Sequence, residues 1–325
     1  MKSSRYIKKT RLKTLDLFHG AGGSSYGARL AGAEIIAGVD SWNIAGAAYR
    51  ENFAKANVFT EDITALSAHR LHSVIGDIDL MLASPECTNH TCAKGAAERC
   101  EESKMTAFQV VKFAKVFRPR WIVIENVIQM KSWSRHAELL ESLWELGYYV
   151  KEEKLNAMDF AVPQSRKRLF LICSLNGESS APFAGKRLHR SASCIIDMKG
   201  DYPFTPLYSP GRAEATLARA ERAISEVGPR APFLIVYYGS DGSGGWQSLD
   251  KPLRTITTLD RFAYVKPTRK GHFMRMLQPE ELKAAMGFDK GYKLDTGTRR
   301  DKIRLMGNAV CPPVMRTIIS SLVRK

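Results

Sequence analysis

Strand-like and helix-like patterns alternate along the first half of the chain. Each strand-like run is short and almost continuously apolar, as in TLDLF and IDLMLA, and an amphipathic segment with apolar residues three or four apart follows it. The four pairs lie at 14–18 and 24–31, 34–40 and 44–53, 78–83 and 105–117, and 121–126 and 136–146. Buried strands that alternate with helices predict an α/β fold with a doubly wound, mostly parallel sheet. In such a sheet the ligand site lies at the carboxyl edge of the strands.

The amino-acid composition of the sequence changes near residue 176. Two further strand candidates, at 148–160 and 168–174, flank a basic loop that contains PQSRKR at 163–168. Beyond them, stretches such as NGESSAPFAGKRLHRSAS are rich in Pro, Gly, Ser and basic residues, as loops or a small domain would be. We therefore predict three parts, which are a first domain at 1–176, a small domain at 177–299, and a C-terminal segment at 300–325 that returns to the first domain.

Composition adds a strong positive charge to this picture. The 325 residues include 49 Lys and Arg against 33 Asp and Glu, a formal net charge of +16. This excess favours a polyanionic partner, nucleic acid first, although a basic surface is also compatible with a soluble protein that binds none. The chain shows no secretory signal, no apolar run of the ~18 residues that a membrane span needs, and no disulfide-like cysteine spacing. We expect a cytosolic protein with reduced thiols and no membrane association.

A glycine-rich turn between the first strand and the first helix predicts a cofactor site. Gly20, Gly22 and Gly23 stand where missing side chains let backbone amides and a helix N-terminus approach a ligand. Asp40 follows the next strand, where a carboxylate can accept hydrogen bonds from ribose hydroxyls. Together they indicate a nucleoside cofactor, and they leave nicotinamide, flavin and S-adenosylmethionine open.

Reactive side chains follow the later strands. Cys87 comes just after IDLMLA, Glu125 lies near the end of WIVIEN, and Arg166 and Arg168 lie in the basic loop. A thiolate is a strong nucleophile, a protonated carboxyl can donate to a ring nitrogen, and arginine can hold a carbonyl oxygen or a phosphate. This combination suits conjugate addition to a pyrimidine. Cys87 could instead join His90, Cys92 and Cys100 in a metal cluster, but their spacing is unlike that of zinc knuckles, and we expect no metal.

Six motifs, in order, resemble those of the cytosine-C5 DNA methyltransferase family over nearly the whole chain. They are DLFHGAGGSSYG, the Cys87 segment, ENV, QSRKR, PLRTITT and GNAVCPPV. The resemblance implies a Rossmann-like class I methyltransferase with a smaller target-recognition domain. It also implies S-adenosyl-L-methionine as cofactor, S-adenosyl-L-homocysteine as product, and double-stranded DNA as partner. We expect the protein to act as a monomer on DNA, and to be associated with the nucleoid if its source is bacterial or a phage.

The resemblance also implies residue roles. Cys87 would add to C6 of a flipped cytosine, Glu125 would hydrogen-bond N3 and the exocyclic amine, Arg168 would hold O2, and Arg166 would support the site around the cysteine. In the cofactor pocket, Phe18 would pack on the adenine, Asp62 would accept from its amino group, and Asp40 would bind the ribose. The remaining residues expected to line that pocket are Gly20, Ala21, Gly22, Gly23, Ser41, Ile63, Asn308 and Val310.

One departure from the family pattern bears on activity. The family usually has Pro-Cys-Gln at the nucleophile, whereas this chain has Glu86 before Cys87 and Thr88 after it. An ionised carboxylate beside the thiol would raise the thiol pKa and weaken the nucleophile. Two alternatives therefore stay open beside DNA methylation. They are an RNA cytosine-C5 methyltransferase and a catalytically silent DNA-binding homologue.

By the same resemblance, the region from Asn176 to about Lys251 corresponds to the family's target-recognition region. Lys186, Arg187, His189 and Arg190 are candidates for contacts with phosphates, and Thr255 would organise this region.

Overall fold

The computed structural model describes residues 12–85, 101–179, 182, 189–238 and 244–323, with the backbone alone at 101–105. The described residues form two compact units. They belong to Met1–Asn156, Lys167–Gly185 and Ala309–Lys325 in the first unit, and to Ala157–Arg166 and Lys186–Asn308 in the second. The functional division into catalytic and recognition domains stays a prediction.

A seven-stranded sheet forms the centre of the first unit. Its strands are β1 (Lys13–Leu17), β2 (Glu34–Val39), β3 (Asn57–Phe59), β4 (Leu80–Ala83), β5 (Trp121–Asn126), β6 (Tyr149–Asn156) and β7 (Lys167–Ser174). The spatial order is β3-β2-β1-β4-β5-β7-β6, and β7 is antiparallel to both of its neighbours. The other pairings are parallel. The prediction of an α/β fold with a mostly parallel sheet is confirmed.

Helices cover the sheet. Those of the first unit are α1 (Gly23–Leu30), α2 (Asn43–Asn52), α3 (Ala68–Ile75), α4 (Glu101–Phe117), α5 (His136–Glu145) and, numbered last in chain order, α9 (Pro312–Leu322). Leu15 and Leu17 of β1 share one core with residues of α3, α4 and α5. Asp16 points to the opposite face, where Ser25 of α1 bonds to it. The fold is therefore doubly wound.

Two elements of the first unit, β3 and α3, were not predicted. β3 has three residues, NVF, which is too short to show a period. The eight residues of α3, AHRLHSVI, include two histidines and an arginine, and its buried residues are Ala68 and Leu71. The helix is amphipathic, but at eight residues it is shorter than the window of about 11–18 residues over which helical periodicity is read.

A smaller antiparallel sheet and the remaining helices form the second unit. The strands are β8 (Thr205–Pro206), β9 (Phe233–Val236), β10 (Trp246–Ser248), β11 (Phe262–Thr268) and β12 (Gly271–Met276), in the order β10-β9-β11-β12-β8. The helices are α6 (Glu214–Val227), α7 (Pro279–Ala285) and α8 (Arg299–Asn308). Ala220 and Ala223 of α6 pack on Phe233, Ile235 and Val265. The core of this unit is thus separate from that of the first.

No helix among the described residues combines the length and the apolar character that crossing a bilayer demands.

Candidate functional site

The ends of four parallel strands are aligned at one edge of the large sheet. Strand register places Val39, Leu17, Ala83 and Ile124 side by side. The next residue on each strand is therefore at the edge, and these residues are Asp40, Phe18, Ser84 and Glu125. Neighbouring strands in a sheet are about 4.8 Å apart. The register thus brings Phe18 and Asp40, two of the predicted cofactor residues, to the same edge as the predicted catalytic Glu125.

The glycine turn has an unusual backbone. Phe18, Gly20 and Gly22 all have positive φ, at 59°, 52° and 70°. A bulky residue such as Phe18 rarely adopts this conformation, and strain of this kind clusters at ligand sites. The Gly22 amide donates to the His19 carbonyl at 2.6 Å, which closes the turn. A methyl group on Gly20 would have no neighbour within 4 Å, so the backbone here borders open space.

Asp40 is at the predicted position and holds the turn in place. Its Oδ2 accepts from the Gly20 amide at 2.8 Å, and its Oδ1 accepts from the Trp42 amide at 2.9 Å. A carboxylate offers about four acceptor positions, so two remain for further donors such as ribose hydroxyls. Ser41, beside it, is exposed.

Asp62 and Ile63 follow β3. Ile63 is buried, whereas Asp62 is exposed. The backbone amide and the hydroxyl of Thr64 both donate to Asp62 Oδ1 at 2.8 Å, and these bonds lower the pKa of Asp62. Asp62 is therefore ionised at neutral pH and can accept a hydrogen bond from an amino group.

The C-terminal residues of the predicted pocket lie in different units. Val310 belongs to the first unit, where a methyl group on Gly23 would come within 2.1 Å of the Val310 carbonyl oxygen. The glycine turn and Val310 are therefore in backbone contact. Asn308 is the last residue of α8, in the second unit, and its side chain is exposed.

Glu125 and Arg168 form an ion pair at the sheet edge. Arg168 Nε lies 3.1 Å from Glu125 Oε1, and the two side chains are 17% and 9% exposed. The antiparallel pairing of β5 with β7 explains the contact, because it returns Arg168 to the end of β5. The sequence placed Arg168 where the basic loop meets the strand candidate at 168–174, and the structure places it in β7, which begins at Lys167. Lys167 pairs with Asn156 of β6, so β7 begins one residue earlier than the predicted strand RLFLICS.

The segment that leads to Cys87 is tied to the ENV motif. The side-chain amide of Asn126 donates to the Pro85 carbonyl at 3.2 Å, and its oxygen accepts from the Val127 amide at 2.8 Å. Pro85 stands two residues before Cys87, which itself lies outside the described residues, as do Glu86, His90, Cys92 and Cys100. Sequence reasoning did not single out Asn126, although its place in the motif was the available signal.

Arg166 has a different environment from Arg168. It is 3% exposed, and its two Nη groups donate to the carbonyls of Ile256 at 3.0 Å and Gly307 at 2.8 Å. All three residues lie in the second unit. Arg166 therefore joins the QSRKR, PLRTITT and GNAVCPPV motifs through backbone carbonyls, and its expected support of the cysteine stays a prediction.

Gln164 is a further organising residue that the sequence reading missed. It is fully buried; its side-chain oxygen accepts from the Ile256 amide at 2.9 Å, and its nitrogen donates to the Ala285 carbonyl at 3.2 Å. The Thr255 hydroxyl donates to the Ser165 carbonyl at 2.8 Å. The side chains of Gln164 and Thr255 thus link the QSRKR motif to the PLRTITT motif.

The remaining candidate residues lie in the core or at the surface, or are outside the described residues. Cys173 is buried in the core, and burial raises its thiol pKa. His189 Nε2 lies 3.1 Å from Asp159 Oδ1, Arg190 is exposed, and Lys186 and Arg187 lie outside the described residues. Among the residues that the structure describes, no group of three or more His, Cys, Asp and Glu could hold a metal ion.

A family model for C-5 cytosine-specific DNA methylases matches residues 12–324. The chain belongs to this family. The resemblance seen in the motifs is thereby confirmed, together with the enzyme class, DNA (cytosine-5-)-methyltransferase. S-Adenosylmethionine-dependent methylation follows from the family and the fold.

Relatives of this methylase cover it to different extents. Type II methyltransferase M.HgiDI of Herpetosiphon aurantiacus is 26% identical over 306 residues, which cover 92% of this chain and 90% of that protein. Type II methyltransferase M.DdeI of Desulfomicrobium norvegicum is 34% identical over 167 residues, which cover 50% of this chain and only 40% of that protein. The solved structure of S. pombe Dnmt2 methyltransferase is similar with a TM-score of 0.69 at 19% identity, and the match covers 97% of this chain and 98% of that one. The similarity to the Dnmt2 structure shows a shared fold.

Proposed function

We propose that this methylase transfers the methyl group of S-adenosyl-L-methionine to C5 of a cytosine that is flipped out of duplex DNA. The observation that carries the proposal is the Glu125–Arg168 pair at the sheet edge, next to the Asn126 bond that fixes the entry to the Cys87 segment. A carboxyl and a guanidinium held together can recognise one edge of a pyrimidine ring. The base must leave the helix because neither face of C6 is accessible in a stacked duplex.

The glycine turn and the residues predicted around it have the groups that S-adenosylmethionine binding needs. Gly20 borders open space, the Phe18 ring is half-buried, Asp40 has acceptor capacity for ribose hydroxyls, and Asp62 is an exposed charged acceptor for an amino group. Val310, in contact with Gly23, would border the pocket, and the role expected of Asn308 stays a prediction. When bound, S-adenosylmethionine supplies an electrophilic methyl group on a sulfonium.

The chain's own groups would then act on the pyrimidine. The Cys87 thiolate forms a bond to C6, while Glu125 donates a proton to N3 and accepts from the exocyclic amine, so that C5 becomes nucleophilic. Arg168 donates to O2 and keeps the ring in register with Glu125. After C5 has taken the methyl group, the C5 proton leaves to a base, the S–C6 bond breaks and its electron pair returns to sulfur as thiolate, and N3 gives its proton back to Glu125.

Trapping tests the nucleophile. In duplex DNA with 5-fluorocytosine at the target, the fluorine cannot leave as a proton does, so the covalent adduct persists. We expect a denaturant-stable adduct with the wild-type protein, the same adduct with Cys92→Ser as matched control, and none with Cys87→Ser. An adduct that survives Cys87→Ser and disappears in Cys92→Ser would reassign the nucleophile and remove the role of Glu86 as its neighbour.

The nucleic acid is tested separately. Labelled methyl transfer is measured in parallel to duplex DNA and to transfer RNA, and bisulfite sequencing of DNA from expressing cells gives the target. The family description and the net charge of +16 support DNA. Transfer to RNA alone would replace the proposal with the RNA alternative, and tight DNA binding without transfer at saturating cofactor would favour the silent one.

A further inference from the structure

The glycine turn lies on a buried tyrosine that has no part in the chemistry described above. Tyr49 of α2 is fully buried. A methyl group on Gly22 would come within 2.9 Å of its ring, and one on Gly38 of β2 within 2.8 Å. The His19 and Tyr49 rings are in contact, with centroids 4.0 Å apart. The ring therefore supports the turn at two of its residues, and the glycines leave no space for it to shift.

A chain of hydrogen bonds fixes this ring. Ser25 Oγ donates to Asp16 Oδ2 at 2.6 Å, and the Ser25 and Tyr49 hydroxyl oxygens are 2.6 Å apart. Because the one proton of Ser25 is given to Asp16, the Tyr49 hydroxyl donates the second bond. The chain joins α2 to α1 and to β1. All three residues are fully buried, so water does not compete with these bonds.

His19 connects the ring to the turn backbone. Its Nδ1 lies 2.9 Å from the Gly20 carbonyl oxygen, which can only accept, so this nitrogen donates. On the other side, the Gly20 amide donates to Asp40. Both polar groups of Gly20 are thus held, and one of the two holders packs against Tyr49.

We propose that Asp16, Ser25 and Tyr49 are positioning residues for the cofactor, which act by holding the glycine turn in its binding conformation before the ligand arrives. The inference rests on the proposed function, because S-adenosylmethionine is the ligand that the turn would hold. A turn that must be ordered on binding lowers affinity. The transfer step stays unchanged once the cofactor is bound, because the reacting groups are the same.

Two matched substitutions test this. Tyr49→Phe removes the hydroxyl and keeps the ring. Tyr148→Phe is the control, because Tyr148 is also buried in the first unit and its hydroxyl donates to a backbone carbonyl, that of Pro119, at 2.8 Å. For S-adenosylhomocysteine, measured by calorimetric titration, we expect binding weakened about three- to tenfold in Tyr49→Phe and unchanged within about twofold in Tyr148→Phe. The KM for S-adenosylmethionine should rise in parallel, with kcat at saturation retained.

The ligand-free protein gives an independent readout. Deuterium uptake in the peptide that carries residues 18–23 should be faster in Tyr49→Phe than in wild type, and unchanged in Tyr148→Phe. Ser25→Ala breaks the same chain at its centre and carries the test if Tyr49→Phe does not fold. Unchanged affinity and exchange in either folded variant, or equal weakening in Tyr148→Phe, would overturn the proposal. If wild type binds no S-adenosylhomocysteine, the proposed function fails, and the exchange comparison alone decides whether the chain positions the turn.

Discussion

The surroundings of Glu125 in the folded protein support a role in catalysis. It lies near the end of a buried strand, is nearly enclosed, and is paired with Arg168. A glutamine at this position keeps the shape of the side chain but cannot transfer a proton to N3. We expect Glu125→Gln to lower kcat by about 10²–10⁴-fold while the protein stays folded. Single-turnover methyl transfer measures the effect, and Glu141→Gln, on the exposed side of α5, should be as active as wild type.

The buried carboxyl of Asp16 should make the stability of the protein depend on pH. Burial raises the pKa of Asp16 to about 7, from 3.8 in an exposed chain. The folded protein therefore holds a proton that the unfolded chain has lost, and stability falls as the pH rises from about 4 towards 7. Asp16→Asn removes this dependence. Relative to wild type, its free energy of unfolding should rise by about 2 kcal/mol between pH 5.5 and pH 8, measured by urea denaturation. A constant difference between the two proteins would show that Asp16 does not titrate in this range.

Among the elements, α1 shows why small residues are needed around the site. Gly23 and Gly27 are four residues apart on this helix, and methyl groups on them would come within 2.1 Å of the Val310 carbonyl and 2.5 Å of the Pro312 carbonyl. The helix is therefore in backbone contact with the start of α9. The glycine motif thus serves packing as well as ligand approach.

A methyl group tests this packing. Gly23→Ala must displace backbone rather than a flexible side chain, and we expect it to lower stability by about 1–3 kcal/mol in chemical denaturation. Gly291→Ala is the control. Its methyl group would lie 3.2 Å from the nearest atom, a carboxylate oxygen of Asp289, and it should change stability by less than about 0.5 kcal/mol. Equal effects of the two substitutions would contradict the role given to the α1–α9 contact.

For the whole molecule, the net charge of +16 predicts that DNA binding weakens as salt rises, with a steepness set by the number of phosphates neutralised. With about six to ten phosphates neutralised, log K against log salt should fall with a slope of about −5 to −9 in a fluorescence titration with duplex DNA. Arg190→Ala should reduce the slope by about one if Arg190 contacts a phosphate. Lys55→Ala, just before β3 at the amino edge of the sheet, should leave it unchanged. A slope near zero would exclude electrostatic binding as the basis of affinity.

Much of the fold could be read from the sequence because its main signals are local. The strands β1, β2, β4 and β5 are nearly continuous apolar runs, and α1, α2, α4 and α5 have regular apolar spacing. By contrast, β3 and α3 are short and bury few residues, so tertiary contacts rather than pattern stabilise them. The candidate site was predicted in the same way, through motifs with fixed spacing. Asn126 and Gln164 were signalled only by their places in the ENV and QSRKR motifs, and Tyr49 carries no local signal that separates it from an ordinary core residue.

The sequence by itself determined the alternation of strands and helices, the family motifs, the positive charge and the residue types available for catalysis, because each of these depends on neighbouring positions or on simple sums. Only the tertiary structure decided the partners. Strand register places Asp40, Phe18 and Glu125 at one edge, an antiparallel strand returns Arg168 to Glu125, and Arg166 binds carbonyls 90 and 141 residues away. Hydrogen bonds and ion pairs act over a few ångströms, and which groups come that close is fixed by how the whole chain packs.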